Sequence, residues 1–572
     1  MKEKYIKSNI MNDALICLAL VSVALFTNFF YFRTGSIEGA HDLAFHMQRA
    51  NNLVENLRHL NFNPYINTYS FNQVGSAVAS CYPNLVIYIW SIFLLVCGNI
   101  VLDYQILLLL TTFIILFSTY YGFLSVFPGK KLEAFIASVS YSSSSLIGFY
   151  QYVSGDLAAV WAMGLLPLAS AGLYHLIKDN RYKMLTISMS LIFLSHLLNF
   201  LLTSIVFALI VVINYDKCTK RMCFSLLKAI GLTILITSVF WIKLLMILIS
   251  GPIATPRALG LLLPINLKIW IQSAKTFSYN WNLSIIAIVG LFLGVIWCKK
   301  LSSPLRTCLV VSLLLVFFST DFMPWDLFNR TPISIIQWVN RLMVFPELTG
   351  CILFAVISLD VFSNKLSSVK PIVFLFVMII VLGINYKNQK NLYDFSQGDT
   401  FISSPWTSSN NLPWREEKLS YKITNHKQER NILFYHDVTD YLPKRTVSVF
   451  NEIQYPHRMA IYNNGMAFKV HTRPIPDGAI MKFNANKSYE SVELPFVLYN
   501  HMYKIWVDGK KSSLKIGAHN LVELKNVNFG GHTVKVEFAY TRLNVVKMIS
   551  YLMCIAGIVM LTYPNILFKM KN

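Results

Sequence analysis

Gly39-Ala-His-Asp-Leu-Ala-Phe-His-Met-Gln-Arg49 follows closely on an apolar run, residues 13–32, and the two together decide how this chain is read. A run of about 20 apolar residues is long enough to cross a bilayer as a helix. The stretch after it carries Asp42, His46 and Arg49 at i, i+4 and i+7, which one helical face presents together. Charged and titratable groups beside hydrocarbon are costly, so their clustering at the end of a span points to function. The same spacing also describes a surface helix on which Asp42 only caps or pairs with neighbours.

Composition extends the membrane reading to the whole chain. Of 572 residues, 55% are hydrophobic and 14% charged, and the mean hydropathy is +0.50, outside the range of ordinary soluble domains. The net charge of +22 comes largely from short basic runs between apolar segments. Such runs orient membrane proteins and give no support to a nucleic-acid partner. Among the 9 cysteines, only Cys81 sits clearly in a loop, and no CxxC or disulfide framework is present. Lys2, Lys4 and Lys7 precede the first apolar run, but no small-residue cleavage site follows, so the run is read as a retained span.

About twelve spans of membrane length can be drawn, from 13–32 to 548–567. They place both termini in the cytoplasm together with Lys130 and Lys131, Lys178 to Lys183, Lys217 to Arg221, Lys299 and Lys300, Lys365 and Lys370, and Lys569 and Lys571. This holds only if the apolar run 83–96 lies in the outer interface instead of crossing. Residues 33–82, 151–156, His196, 250–280 and 321–341 then gather on the outer side.

The fold expected is an α-helical polytopic membrane domain over residues 1–386, with a first outer loop at 33–103. A soluble domain at 387–545 and a final helix with cytoplasmic tail at 546–572 complete it. The second half of the soluble domain reads as β: Val492-Glu-Leu-Pro-Phe-Val-Leu-Tyr499, Tyr503-Lys-Ile-Trp-Val507, Leu521-Val-Glu-Leu524 and Thr533-Val-Lys-Val-Glu-Phe538 are separated by turn signals such as Asp508-Gly and Gly530-Gly. A β-sandwich is expected there, without a catalytic cluster.

On residue chemistry, Asp42 is a candidate to take a proton from a hydroxyl or to help hold a divalent cation. His46 would tune it, and Arg49 would pair with a phosphate. Asp156 is either a second acid or the N-cap of the helix it precedes. Lys243, Arg330 and Arg341 are further phosphate candidates, although snorkelling or interfacial anchoring explains such residues equally. His196, in a tight turn, reads as structural. The chain has no P-loop, Gly-rich nucleotide fingerprint, HExxH or nucleophile elbow, which argues against a soluble nucleotide donor.

His41 to Arg49, Cys81-Tyr-Pro83, Gly155-Asp156 to Pro167, Trp338-Val-Asn-Arg341 and Asp440-Tyr-Leu-Pro443 together resemble bacterial membrane proteins of the GT-C glycosyltransferase superfamily. The resemblance extends to the subgroup called 6-pyruvoyl-tetrahydropterin synthase-related membrane proteins, although no residue supports pterin chemistry. The region from Val492-Glu-Leu-Pro to Trp506-Val-Asp-Gly509 is similar to the outer β domain of large bacterial membrane proteins linked to glycosylation of cell-surface polymers. The superfamily implies a polyprenyl-phosphate-linked sugar donor, inverting transfer to a cell-envelope acceptor outside the bacterial cytoplasmic membrane, and an acidic residue in the first outer loop, here Asp42. That subgroup tends to carry Glu and Arg where this chain has Asp156 and Ser154. A transporter or flippase of lipid-linked saccharides, or a non-catalytic envelope-assembly protein, are the alternatives; no internal repeat favours the transporter.

Overall fold

A computed structural model describes residues 2–39, 41–254, 262, 264, 270, 278–329, 331–363, 369–396, 421–429, 439–499 and 502–562. Among these, six helices are long and apolar enough to cross a membrane: Asp13–Arg33, Ile100–Val126, Leu157–Asp179, Val339–Asp360, Lys370–Asp394 and Asn544–Thr562. Lys220–Ile236 and Ser238–Ile249 together make a further candidate, bent by 70°. Five shorter apolar helices complete the membrane part: Leu85–Val96, Lys183–Ser195, Leu197–Ile213, Ile285–Ile296 and Ser303–Ser319. The chain is a multi-pass membrane protein. Of the basic residues that set the expected orientation, Lys365, Lys569 and Lys571 lie outside the described residues.

Two apolar runs of membrane length are broken in the structure. The run 134–150 is not one helix: Lys131–Ser142 ends in a serine-rich stretch, where the Ser144 hydroxyl accepts from Ile147 N and starts a separate turn. Serine competes with the helix for backbone partners in this way. A π-helical turn, Phe149–Ser154, follows. The run 224–249 carries the 70° bend at Thr237, whose hydroxyl turns back onto Thr233 O. Leu85–Val96 has only 12 residues, about 18 Å of helix, too short to cross alone. It buries Val86, Ile87 and Trp90 and exposes Ile92, Leu95 and Val96.

Small residues let membrane helices meet closely. At Gly290 an added Cβ would lie 1.9 Å from Gly350 O, so Ile285–Ile296 and Val344–Ser363 cross backbone to backbone. The same pair is held by Glu347, fully buried, which accepts from Ser284 N at 2.9 Å and Ser284 Oγ at 2.5 Å.

The first helix, α1 (Lys2–Arg33), leads out of the membrane part into β1 (Ile37–Gly39) and α2 (His41–Arg58). β1 pairs antiparallel with β2 (Tyr421–Ile423). The late β domain lies between Met459 and Phe538, with strands β3 (Met459–Tyr462), β4 (Gly465–Ile475), β5 (Gly478–Ala485), β6 (Tyr489–Val497), β7 (Tyr503–Val507), β8 (Lys510–Ser512), β9 (Leu521–Val527) and β10 (Gly530–Phe538). All pair antiparallel in the order β8-β7-β10-β5-β4-β3-β6-β9. The long β4 changes partner midway, pairing with β3 through Lys469 and with β5 from Val470 onward. One strand serving two halves is how a sandwich turns its corner.

The β domain does not close its core alone. Tyr65, Ile66, Val74, Ala77 and Cys81 from the loop after α2 belong to the same buried cluster as Phe496, Tyr503 and Phe538. The Asp477 carboxylate, at the β4–β5 turn, accepts from Tyr65 N (2.6 Å), Ile66 N (3.0 Å) and Asn61 Nδ2 (2.9 Å). Loop and domain are therefore one packed unit standing over α2.

Candidate functional site

α2 grips that loop by its polar face. Gln48 Oε1 accepts from Phe71 N at 2.9 Å, and Asn52 Oδ1 accepts from Thr68 N and Tyr69 N at 3.0 and 3.1 Å. The next face of α2 carries Asp42, His46 and Arg49. It meets the segment joining the π-helical turn to Leu157–Asp179.

Gly155 makes that meeting fit. It adopts φ +76°, and an added Cβ would stand 2.6 Å from Leu43 Cβ, so a side chain there would be both strained and in collision. On either side of it, Ser154 and Asp156 reach α2. The Ser154 hydroxyl donates to Asp42 Oδ2. His46 Nε2 stands 3.0 Å from Asp156 Oδ1, which also accepts from Ala159 N at 3.0 Å as the helix cap. Asp156 is thus both the cap and a member of the cluster.

The protonation pattern follows from Arg49. Its guanidinium only donates; with Nη1 2.9 Å from His46 Nδ1, that nitrogen accepts and the proton sits on Nε2, facing Asp156. Arg49 is buried at 2% exposure. It also donates to Asn84 Oδ1 at 2.9 Å and to Pro83 O, and lies 4.2 Å from the centre of the Tyr82 ring. Burial lowers its pKa to about 10, leaving it cationic at neutral pH. Cys81-Tyr-Pro83 and Tyr441 converge here, since Tyr82 and Tyr441 share a small cluster with Phe45 and Phe71.

The two carboxylates are driven apart. Solvent reaches the Asp42 side chain, while the surrounding protein strips much of its hydration. That desolvation, and next the negative charge of Asp156, raise its pKa; Ser154, His46 and Arg341 oppose. Burial works against the charge of Asp156 as well. There the His46 hydrogen bond, His196 and the Ala159 N–H prevail and hold the carboxyl below its usual range. Two acids pushed in opposite directions is a pattern that separates a titrating group from a permanently charged one.

His46 and Arg49 stand in line with Asp156, and Ser154 joins Asp42 to the group. Arg341 is near enough to favour the Asp42 charge; it donates to Ile336 O and Gln337 Oε1, each at 2.9 Å. It also lines a narrow slot, with about 30 Å³ of free room, between Leu157–Asp179, Leu197–Ile213 and the start of Val344–Ser363, walled by Met163, Leu166, Leu202 and Phe345. Lys243 is placed elsewhere. Its ammonium donates to Asn63 Oδ1 at 2.5 Å and to Pro64 O and Ala79 O at 3.3 Å, and its charged neighbours include Lys547 and Asp477. Arg330 lies outside the described residues.

Sequence reading gave no site role to three neighbours. His196, read as structural, brings Nε2 to 3.7 Å from Asp156 Oδ2. Ser154 and Tyr82 join through long-range packing, for which no local pattern gives a sign. Among the described residues no three His, Cys, Asp or Glu side chains converge to hold a metal ion, and both Asp156 oxygens already face imidazoles.

These features define a multi-pass helical membrane protein with a partly buried acidic and cationic cluster under a β domain. No known protein family matches the sequence, and no curated protein matches it. Among solved structures the chain is similar to arabinofuranosyltransferase AftD from mycobacteria, with a TM-score of 0.42 and 14% identity over 66% of this chain and 26% of that one. The chain thus spans about a quarter of the length of that protein.

Proposed function

We propose that the chain is a GT-C-type glycosyltransferase of the bacterial cytoplasmic membrane. On this reading it moves a sugar from a polyprenyl-phosphate carrier to a cell-envelope acceptor on the outer face, and both termini are cytoplasmic. The observation that carries it is the solvent-reached Asp42 carboxylate, raised in pKa beside a fixed Asp156 charge and electrostatically coupled to Arg341 at the apolar slot. The slot's largely apolar walls match a prenyl chain in character, and Arg341 its phosphate.

In the inverting step, the acceptor hydroxyl gives its proton to Asp42 while its oxygen bonds to the sugar anomeric carbon. The bond from that carbon to the phosphate oxygen breaks, and the electron pair leaves on the polyprenyl phosphate. Arg341 stabilises that charge, with Arg330 as a further candidate; Lys243, held by Asn63, Pro64 and Ala79 away from the cluster, is left out of the step. His46 and Arg49 hold Asp156 ionised and so keep Asp42 basic. Asp42 is the one carboxylate of the cluster open to a ligand, so no step is assigned to a divalent cation.

Asp42→Asn keeps the shape and the Ser154 contact and removes the base. Loss of surface glycosylation at normal protein abundance is expected; glycosylation at the wild-type level overturns the assignment.

A further inference from the structure

The segment that carries Arg341 contains one costly backbone conformation. Gln337 lies at φ +60° and ψ −60°, and Trp338 N donates to Ile336 O, two residues back, at 2.7 Å. This is a γ-turn of the rare, strained hand. Glycine takes positive φ far more readily than a residue with a Cβ, so the turn alone does not account for a glutamine. Such a conformation persists only where its surroundings over-determine it, and residues of this kind gather at functional sites.

What surrounds Gln337 is Arg341. Gln337 Oε1 accepts from Arg341 Nη1 at 2.9 Å, and Ile336 O accepts from the same nitrogen at 2.9 Å. The γ-turn sets these two acceptors side by side, and Ile336 O serves the turn and the arginine at once. Both hydrogens of Nη1 are thereby engaged. Because a guanidinium is planar, two bonds at one nitrogen fix the orientation of the whole group. The parallel pair Nε–H and Nη2–H remains for other work, and that pair is the fork that takes two oxygens of one phosphate. Arg341 is close enough to Asp42 and to the buried Tyr150 to favour the charge of each, and it lines the narrow slot. What Gln337 orients is therefore part of the cluster itself.

We propose that Gln337 is a positioning residue, whose strained turn and amide oxygen set the Arg341 fork to receive the phosphate of a prenyl-borne donor. The assignment rests on the glycosyl-transfer reading above. Without the amide, the guanidinium turns about its last bonds and meets a phosphate through single contacts. If Gln337 served only the loop, a glycine in its place would relieve the strain and leave ligand binding as it is. If it serves Arg341, the same glycine leaves the fold sound and weakens the grip on phosphate.

The test is titration calorimetry on the full chain in detergent micelles, with citronellyl phosphate, a short prenyl monophosphate, and separately with inorganic phosphate. Wild type is expected to bind the prenyl ester about tenfold or more tighter than inorganic phosphate, through the apolar area it buries. Gln337→Gly accepts the turn and lacks the acceptor; Gln337→Asn tolerates positive φ and keeps an amide one methylene too short. Each is expected to weaken binding of the prenyl ester about fivefold, the weight of one hydrogen bond, with a thermal midpoint no lower than that of the wild type. Added to Arg341→Gln, Gln337→Gly is expected to change affinity less than about twofold, because a residue that acts through another has nothing left to act on. Wild-type affinity in the folded Gln337 variants, or a full further loss in the double variant, overturns the positioning role and leaves Arg341 at the donor site. Unchanged affinity in Arg341→Gln removes both residues from that site, and equal affinity for the two ligands overturns the prenyl-borne source. None of these results touches the Asp42→Asn glycosylation test, which alone decides the role of the base.

Discussion

The Ser154 hydroxyl donates a hydrogen bond to the Asp42 carboxylate, joining a π-helical turn to the first turn of α2. A hydrogen bond to the charged form of an acid lowers its pKa. Here that bond partly offsets the rise imposed by desolvation and by Asp156. How basic Asp42 is at working pH is thus set by a residue from a different segment of the chain.

Ser154→Ala removes the offset, so the pKa of Asp42 rises further. The acidic limb of the transfer rate should move to higher pH, with the largest loss near neutrality and recovery at alkaline pH. Initial rates in membrane vesicles across a pH series measure it. A uniform loss at every pH would show that Ser154 acts otherwise.

In the wild type the sign follows from the same group. Asp42 works ionised, and its pKa is raised, so the rate should fall on acidification at a pH above the ordinary carboxylate range. Asp156 is held low and stays charged across that window, so a single limb is expected. Removing the base altogether, as in Asp42→Asn, should cost about 10²- to 10⁴-fold in rate.

Arg49→Lys cannot reproduce the guanidinium fork to His46 Nδ1, Asn84 Oδ1 and Pro83 O. Hydrogen bonds from charged groups are worth about 1.5–3 kcal/mol each, and the side chain is buried. A loss of about 2–3 kcal/mol is expected, read as a lower thermal midpoint of the purified protein. An unchanged midpoint would mean that the ammonium finds equivalent partners.

Arg341→Gln should raise the KM for a short-chain polyprenyl-phosphate sugar about tenfold or more and leave the thermal midpoint within a degree or two. The reason is that Arg341 is only half-buried and bonds to its own turn. An unaltered KM would remove it from the donor site.

Tyr65→Ala tests whether loop and β domain share a core. Tyr65 is fully buried and packs 4.4 Å from Phe538 between ring centres. Truncating a large aromatic in a core costs about 3–5 kcal/mol. Faster proteolysis of the β domain as well as of the loop is expected; a change confined to residues 61–82 would separate the two.

Much of this architecture was legible locally. Strands β7, β9 and β10 were read because Tyr503 to Val507, Leu521 to Leu524 and Thr533 to Phe538 alternate or run apolar between turn residues. The spacing of Asp42, His46 and Arg49 needed only a helix, and α2 is one. What escaped depends on partners far away in sequence. The strands from 459 to 485 are more polar, and although β3–β4 and β4–β5 pair as neighbours, β3 also takes β6 and β5 takes β10 from farther along the chain. The π-helical turn hides within an apolar run, and the contact of His196 with Asp156 joins positions 40 residues apart. Nothing near Tyr65 announces that its neighbour is Phe538.

Because β1 takes β2 as its partner and the loop after α2 completes a core built from residues beyond 440, the region around Asp42 stays unfinished during most of synthesis. The early segments must be inserted and wait until strands made near the end of translation arrive. A product cut short before the β domain would hold every charged residue of the cluster and still lack the lid that arranges them.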